Sequence, residues 1–194
     1  MTNEKIVIML GSSSDFSFAH HIEDFLREAR FQVKLEYLVN SAHRNPEKLL
    51  NDIRGYEQSG DSIVFITVAG LSDALSGVVA ADSKSPVIAC PPDMEKYGYV
   101  KMFSTVMTPA GVPVCLASSP ENAAFAAVKI LALSNVSLMK RVGEYITEMR
   151  NAVVKADAEI KSKEVGERER EHIERVEHLT HGEHVEHAED TEDA

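Results

Sequence analysis

The 194-residue sequence is 44% hydrophobic and 26% charged, a balance that fits one well-packed domain and excludes a collagenous, low-complexity or wholly disordered chain. Its formal charge of −11 is unevenly placed: residues 1–163 hold 19 acidic against 17 basic side chains, and residues 164–194 hold 12 against 3. The body therefore lacks the basic surplus of a nucleic-acid-binding surface, and no nucleic-acid partner is expected.

Residues 6–10 form an apolar run suited to a buried strand. Gly11-Ser12-Ser13-Ser14-Asp15 follows, and then a helical repeat of Phe18, Ile22, Phe25, Leu26 and Ala29. Strand, glycine turn, hydroxyls and helix start bring amide donors and a positive dipole end to one point, which suits a phosphate. The same residues also suit a turn that merely caps the helix. Val33, Leu35, Tyr37 and Val39 alternate as in a second strand with unequal faces. After the polar stretch 40–44, Asn45-Pro46 supplies a cap and first-turn proline for a helix with Leu49, Leu50, Ile53 and Tyr56 on one face. Residues 62–68 read as a central parallel strand, broken by Ala69-Gly70-Leu71-Ser72-Asp73 before a short helix over 74–81. A fourth strand is predicted at 86–90, an irregular loop from Pro91-Pro92-Asp93 to Gly98, a helix over 100–107, and a fifth strand at 112–116. Ser119-Pro120-Glu121 then opens an alanine-rich helix to about 133.

Strands alternating with helices and no hairpin signal predict an α/β chain: a flavodoxin-like three-layer sandwich on a five-stranded parallel sheet. The loops at 11–15, 40–44 and 69–73 all follow strands and share the carboxyl edge, where such sheets hold ligands. From Asn135 a long C-terminal helix carries Leu138, Val142, Tyr145, Ile146, Met149, Val153 and Ile160. A stripe added to a complete domain is expected to pack on a neighbouring subunit, packing on its own sheet being the alternative. Residues 1–163 are thus read as one domain with its oligomerisation helix from about 135. Residues 164–194 read as an acidic, His/Glu-rich tail fraying into disorder. His178, His181, His184 and His187 match no metal motif, so a solvated tail is expected and no metal. Cys90 and Cys115 show neither disulfide nor zinc spacing, which fits a reducing compartment. No basic leader is seen, and no apolar run approaches the ~20 residues of a membrane span. A soluble cytoplasmic protein without a membrane partner is expected.

The glycine–serine loop, paired with Ser41-Ala42-His43-Arg44 after the second strand, resembles the phosphoribosylaminoimidazole carboxylase (PurE-like) family of purine biosynthesis over about residues 5–160. The resemblance implies a homo-tetramer or homo-octamer, a site near subunit boundaries, and no cofactor. Ser12, Ser14, Ser41 and Arg44 would cradle the phosphate of aminoimidazole ribonucleotide. Asp15, repelled by phosphate, would take the ribose hydroxyls or the amino group, and His43 would be the general acid and base. Backbone amides around Gly70 and Ser72 would hold the carboxylate, with Ser76 completing the substrate-binding set. Carbon dioxide is the second substrate: the electron-rich ring attacks it through C4, after which a proton must leave that carbon. An imidazole, which titrates near neutrality, suits this proton transfer.

Two branches of the family are distinguished by the loop after the third strand. The N5-carboxyaminoimidazole ribonucleotide mutases usually carry Gly-Ala-Ala-His-Leu-Pro-Gly there, whereas this chain has neither histidine nor proline from Ala69 to Gly77. That loop, with Cys90-Pro91-Pro92 and Ser119-Pro120-Glu121, resembles the direct (class II) carboxylases. Arg44, where those enzymes usually have lysine, and Leu71-Ser72-Asp73, where they have Arg-Ser-Asn, depart from them. The expectation is an aminoimidazole ribonucleotide (AIR) carboxylase making carboxyaminoimidazole ribonucleotide without ATP, with the mutase as the alternative. A flavin- or nucleotide-binding module of the same fold is the competing reading. The absence of tryptophan, of a threonine-rich phosphate loop and of an aromatic pair counts against it.

Overall fold

A computed structural model describes residues 4–182. Contacts divide the chain into two units, Met1–Tyr145 and Ile146–Ala194. The first is built on a five-stranded, all-parallel sheet of order β2-β1-β3-β4-β5: β1 (Glu4–Leu10), β2 (Lys34–Val39), β3 (Ser62–Val68), β4 (Val87–Ala89) and β5 (Cys115–Leu116). β1 and β3 pair along their whole length, from Glu4 opposite Ser62 to Leu10 opposite Val68. Residues 5–10 and 63–68 are all buried, as expected for strands covered on both faces. β2 is an edge strand, and its side chains are only partly covered. This is the flavodoxin-like architecture expected from the sequence.

Helices α1 (Phe16–Glu28), α2 (Pro46–Glu57), α3 (Ala74–Asp82) and α6 (Pro120–Ala132) alternate with the strands. Asn45, Asp73 and Ser119 cap α2, α3 and α6 by accepting from backbone amides of their first turns. Two stretches differ from the sequence reading. The fifth strand is confined to Cys115–Leu116 because Pro113 has no amide to give a ladder, although Val112 and Val114 still pack against the core. The loop after β4 contains a single helical turn, α4 (Met94–Tyr97), which Gly98 at φ 53° separates from α5 (Tyr99–Val106).

The first turns of the C-terminal helix α7 (Val136–Gly182) follow the alternative that the sequence left open. They pack on their own unit: Leu138 and Val142 are buried, and Tyr145 joins Phe25, Phe31 and Phe125 in an aromatic cluster with centroids 5.1–6.3 Å apart. Arg141 Nε also donates to the Ala29 carbonyl at 2.9 Å. These side chains close one face of the sandwich and are unavailable to a neighbouring subunit. In the second unit the helix continues past Lys163 to Gly182, so the start of the acidic segment is helical. Val153 and Ile160 there are 71% and 59% exposed, between ion pairs such as Lys161–Asp157 at 2.8 Å. His184 and His187 lie outside the described residues. No described helix is long and apolar enough to cross a membrane.

Candidate active site

The carboxyl ends of β1, β2 and β3 open into one cleft of about 480 Å³. β1 ends in Gly11, whose amide donates to the Val68 carbonyl at 2.8 Å, so the first and third loops leave the sheet side by side. A Cβ on Gly11 would lie 3.1 Å from the Ala69 Cβ, which limits that position to the smallest residue unless the neighbour shifts. Ser12 Oγ accepts from the Ser14 hydroxyl at 3.0 Å, turning the chain through a short 3-10 turn into α1. From β2, buried Asn40 is tied to the Leu10 carbonyl through its amide, to Asp52 through Nδ2, and to the Lys48 ammonium at 2.7 Å. That knot fixes the exit of the chain into Ser41–Arg44. Ser41 Oγ accepts from the Arg44 amide at 3.3 Å. The side chains of His43 and Arg44 are exposed at the cleft.

Ser12, Ser14, Asp15, Ser41, His43, Arg44, Gly70 and Ser72 all line this cleft. Ser76 does not. It is fully buried, with its hydroxyl 2.6 Å from Asp73 Oδ2 and 2.7 Å from Thr67 Oγ1, so it braces the loop from beneath. The cleft also contains Asp93, Lys96 and Tyr97, which the sequence reading did not select. They come from the irregular loop and the one-turn α4, where no periodicity or motif marks an inward side chain. The only signal was an acid following two prolines.

Asp93 reorganises the third loop. Its Oδ2 accepts from the Leu71 amide at 2.7 Å, and a Cβ on Gly70 would lie 2.8 Å from that same oxygen. Leu71 sits at φ 56°, a left-handed conformation a branched side chain adopts only under constraint, and its side chain is 69% exposed. The Leu71 amide is therefore committed to Asp93, which narrows the expected carboxylate donors to those of Gly70 and Ser72. Beneath the loop, Lys101 is 2% exposed and its ammonium donates to the Ala69 and Leu71 carbonyls at 2.7 and 2.6 Å. Burial lowers its pKa from the usual lysine value, against the opposing pull of Asp73, Asp93 and Asp15. Burial likewise raises the Asp15 carboxyl, and nearby Asp93 adds to the effect, while the Ser12 backbone and Lys101 oppose it. Among the described residues, no group of three or more His, Cys, Asp or Glu side chains is arranged to hold a metal ion. Cys90 is buried, and its thiol is pushed up to about 12 by that burial and by Glu121, which disfavours the thiolate.

The chain is similar to known proteins in sequence and in fold. The family model described as AIR carboxylase matches residues 5–152. A phosphoribosylaminoimidazole carboxylase of Archaeoglobus fulgidus is 40% identical over 157 residues, covering 81% of this chain and 85% of that protein. An N5-carboxyaminoimidazole ribonucleotide mutase of Methanocaldococcus jannaschii is 39% identical over 158 residues, covering 80% and 97%. The crystal structure of Treponema denticola PurE superposes with a TM-score of 0.76 at 29% identity, over 81% of this chain and 98% of that one. Matched by that family model over residues 5–152 and 40% identical to a carboxylase over 81% of its length, the chain belongs to the AIR carboxylase family.

Proposed function

We propose that the protein is an AIR carboxylase of purine biosynthesis, joining carbon dioxide to C4 of the aminoimidazole ring without ATP or a cofactor. The observation that carries this reading is the meeting of a hydroxyl-and-guanidinium anion cradle (Ser12, Ser14, Ser41, Arg44) with an exposed imidazole, His43, in one cleft. The cradle takes the ribonucleotide phosphate through charge-assisted hydrogen bonds. Asp15 takes the ribose hydroxyls or the amino group. The ring then presents C4 toward the Gly70 and Ser72 amides, which hold the new carboxylate. The C4 electron pair forms the bond to carbon dioxide, and His43 removes the C4 proton as the ring regains aromaticity. In reverse, His43 returns that proton before carbon dioxide leaves.

Direct use of carbon dioxide is favoured because the Ala69–Gly77 loop has neither the histidine nor the proline usual in the mutases. The mutase reading has the M. jannaschii relative behind it. Turnover of AIR with bicarbonate, without ATP, supports the carboxylase. Turnover of N5-carboxyaminoimidazole ribonucleotide alone, with none from AIR at high carbon dioxide, overturns it. The enzyme is further proposed to act in the cytoplasm as a homo-tetramer or homo-octamer, and exposed Val100 and Phe103 on α5, with Met107 just past its end, support burial against another copy. Sedimentation of the purified protein tests the assembly, and a monomer would refute it.

A further inference from the structure

Lys101 lies outside every motif of the site, yet the loop that would handle the carboxyl group rests on it. We propose that Lys101 is a positioning residue: its buried ammonium grips the Ala69 and Leu71 carbonyls, while Asp93 grips the Leu71 amide, and together they set the amides of Gly70 and Ser72 for the carboxyl group. The proposal rests on the carboxylase reading for its chemistry and on geometry alone for the clamp.

Four observations support it. A lysine that only filled space would be replaceable by a hydrocarbon, because an ammonium is costly to bury unless its hydrogens are used. Here they are used on the two carbonyls that bracket Gly70, at 2.7 and 2.6 Å. The neighbouring peptide is held from the other side by an anion, since Leu71 N–H meets Asp93 Oδ2 at 2.7 Å. The cation holds the 69–70 and 71–72 peptides, which carry the Gly70 and Ser72 amides, and the anion holds the 70–71 peptide between them, so Leu71 stays at φ 56° although it is 69% exposed. The far end of the loop is tied to the same helix, α5: the Asp73 amide donates to Ser104 Oγ at 2.8 Å, and Thr105 Oγ1 donates to Asp73 Oδ2 at 3.0 Å. The whole loop is thus seated on the segment from Asp93 to Thr105, and the Lys101 ammonium is a cation toward Asp15, Asp73 and Asp93.

The test compares wild type with Lys101→Met, Lys101→Gln and Lys101→Arg, using steady-state kinetics and hydrogen exchange at the Leu71 amide. In Lys101→Met, kcat is expected to fall at least thirtyfold with KM for AIR within threefold, because the phosphate cradle is untouched. Leu71 exchange should rise at least tenfold while residues 62–68 stay protected. Lys101→Arg, which can still donate to both carbonyls, should recover a tenth or more of the wild-type kcat. If Lys101→Met does not fold, Lys101→Gln, which keeps a donor, takes its place; failure of both to fold makes Lys101 a core residue and overturns the proposal. It is also overturned if kcat stays within threefold, if KM for AIR rises as much as kcat falls, or if Leu71 exchange is unchanged. Should the wild type turn over neither substrate, the carboxylase reading fails, and the exchange measurement still decides the clamp.

Discussion

The two edges of the sheet hold similar charges in opposite conditions. At the amino edge, Lys5 lies 3.2 Å from Glu36 and 3.0 Å from Asp61, Lys34 adds a second contact to Glu36 at 2.8 Å, and the Tyr56 hydroxyl donates to Glu36 at 2.6 Å. The bonds from Lys34 and Tyr56, with Lys5 behind them, lower the Glu36 carboxyl to about 2. At the carboxyl edge, Asp15 is raised and Lys101 lowered, each chiefly by burial. One edge completes its ion pairs within the fold. The other buries its charges, Lys101 chiefly among backbone carbonyls and Asp15 beside like-charged Asp93, the pattern that marks a candidate functional site.

The largest effect that would sharpen this contrast is expected from His43→Asn. Its side chain fills similar space but cannot shuttle a proton, so kcat should fall by about 10²- to 10⁴-fold with ribonucleotide affinity nearly unchanged. Retained turnover would remove His43 from the chemistry. Arg44→Ala should weaken ribonucleotide binding roughly ten- to a hundredfold by calorimetry, the worth of one charge-assisted phosphate contact. Unchanged affinity would place the phosphate elsewhere.

Substitutions at the two edges should then move stability in opposite directions. Glu36→Gln should lower unfolding free energy at pH 7 by on the order of 2 kcal/mol. A carboxyl lowered by folding stabilises above its ordinary value, and that contribution is lost as pH falls toward about 2, so wild type and variant should converge in acid. Asp15→Asn is expected to do the reverse. A raised carboxyl costs stability once pH climbs through its folded value, so this variant should melt slightly higher at neutral pH while losing activity. A lower melting temperature there would break the comparison. The smallest effect is expected from truncation after Lys163, which should leave assembly and turnover as they are. Dissociation on sedimentation would show that the acidic helix supports the oligomer.

The five parallel strands and the main loops of the cleft were legible because they follow from period and punctuation: short apolar runs, each ending in glycine or a polar break. That Ser12, Ser14, Ser41 and Arg44 share one cleft was legible because they are contiguous in two motifs. Asp93 and Lys101 were not, since each is defined by a partner far along the chain, 22 residues from Leu71 and 32 from Ala69. Ser76 was misplaced for a related reason. A serine in a first helical turn after a candidate ligand loop reads as accessible, and only the packing of Thr67 and Asp73 around it shows otherwise. The destination of Leu138 and Val142 was equally hidden, because an apolar stripe does not say which surface it covers.

The pairing of β1 with β3 has a kinetic consequence. Gly11 and Ala69 approach each other only after strands more than fifty residues apart have met in register, with β2 docked on the far side of β1. Such non-local closure comes late in folding because its loop entropy must be lost before contacts reward it. A nascent chain therefore has no half-formed cleft, and competence to hold a ribonucleotide should arise in the same refolding phase as the central sheet rather than after it.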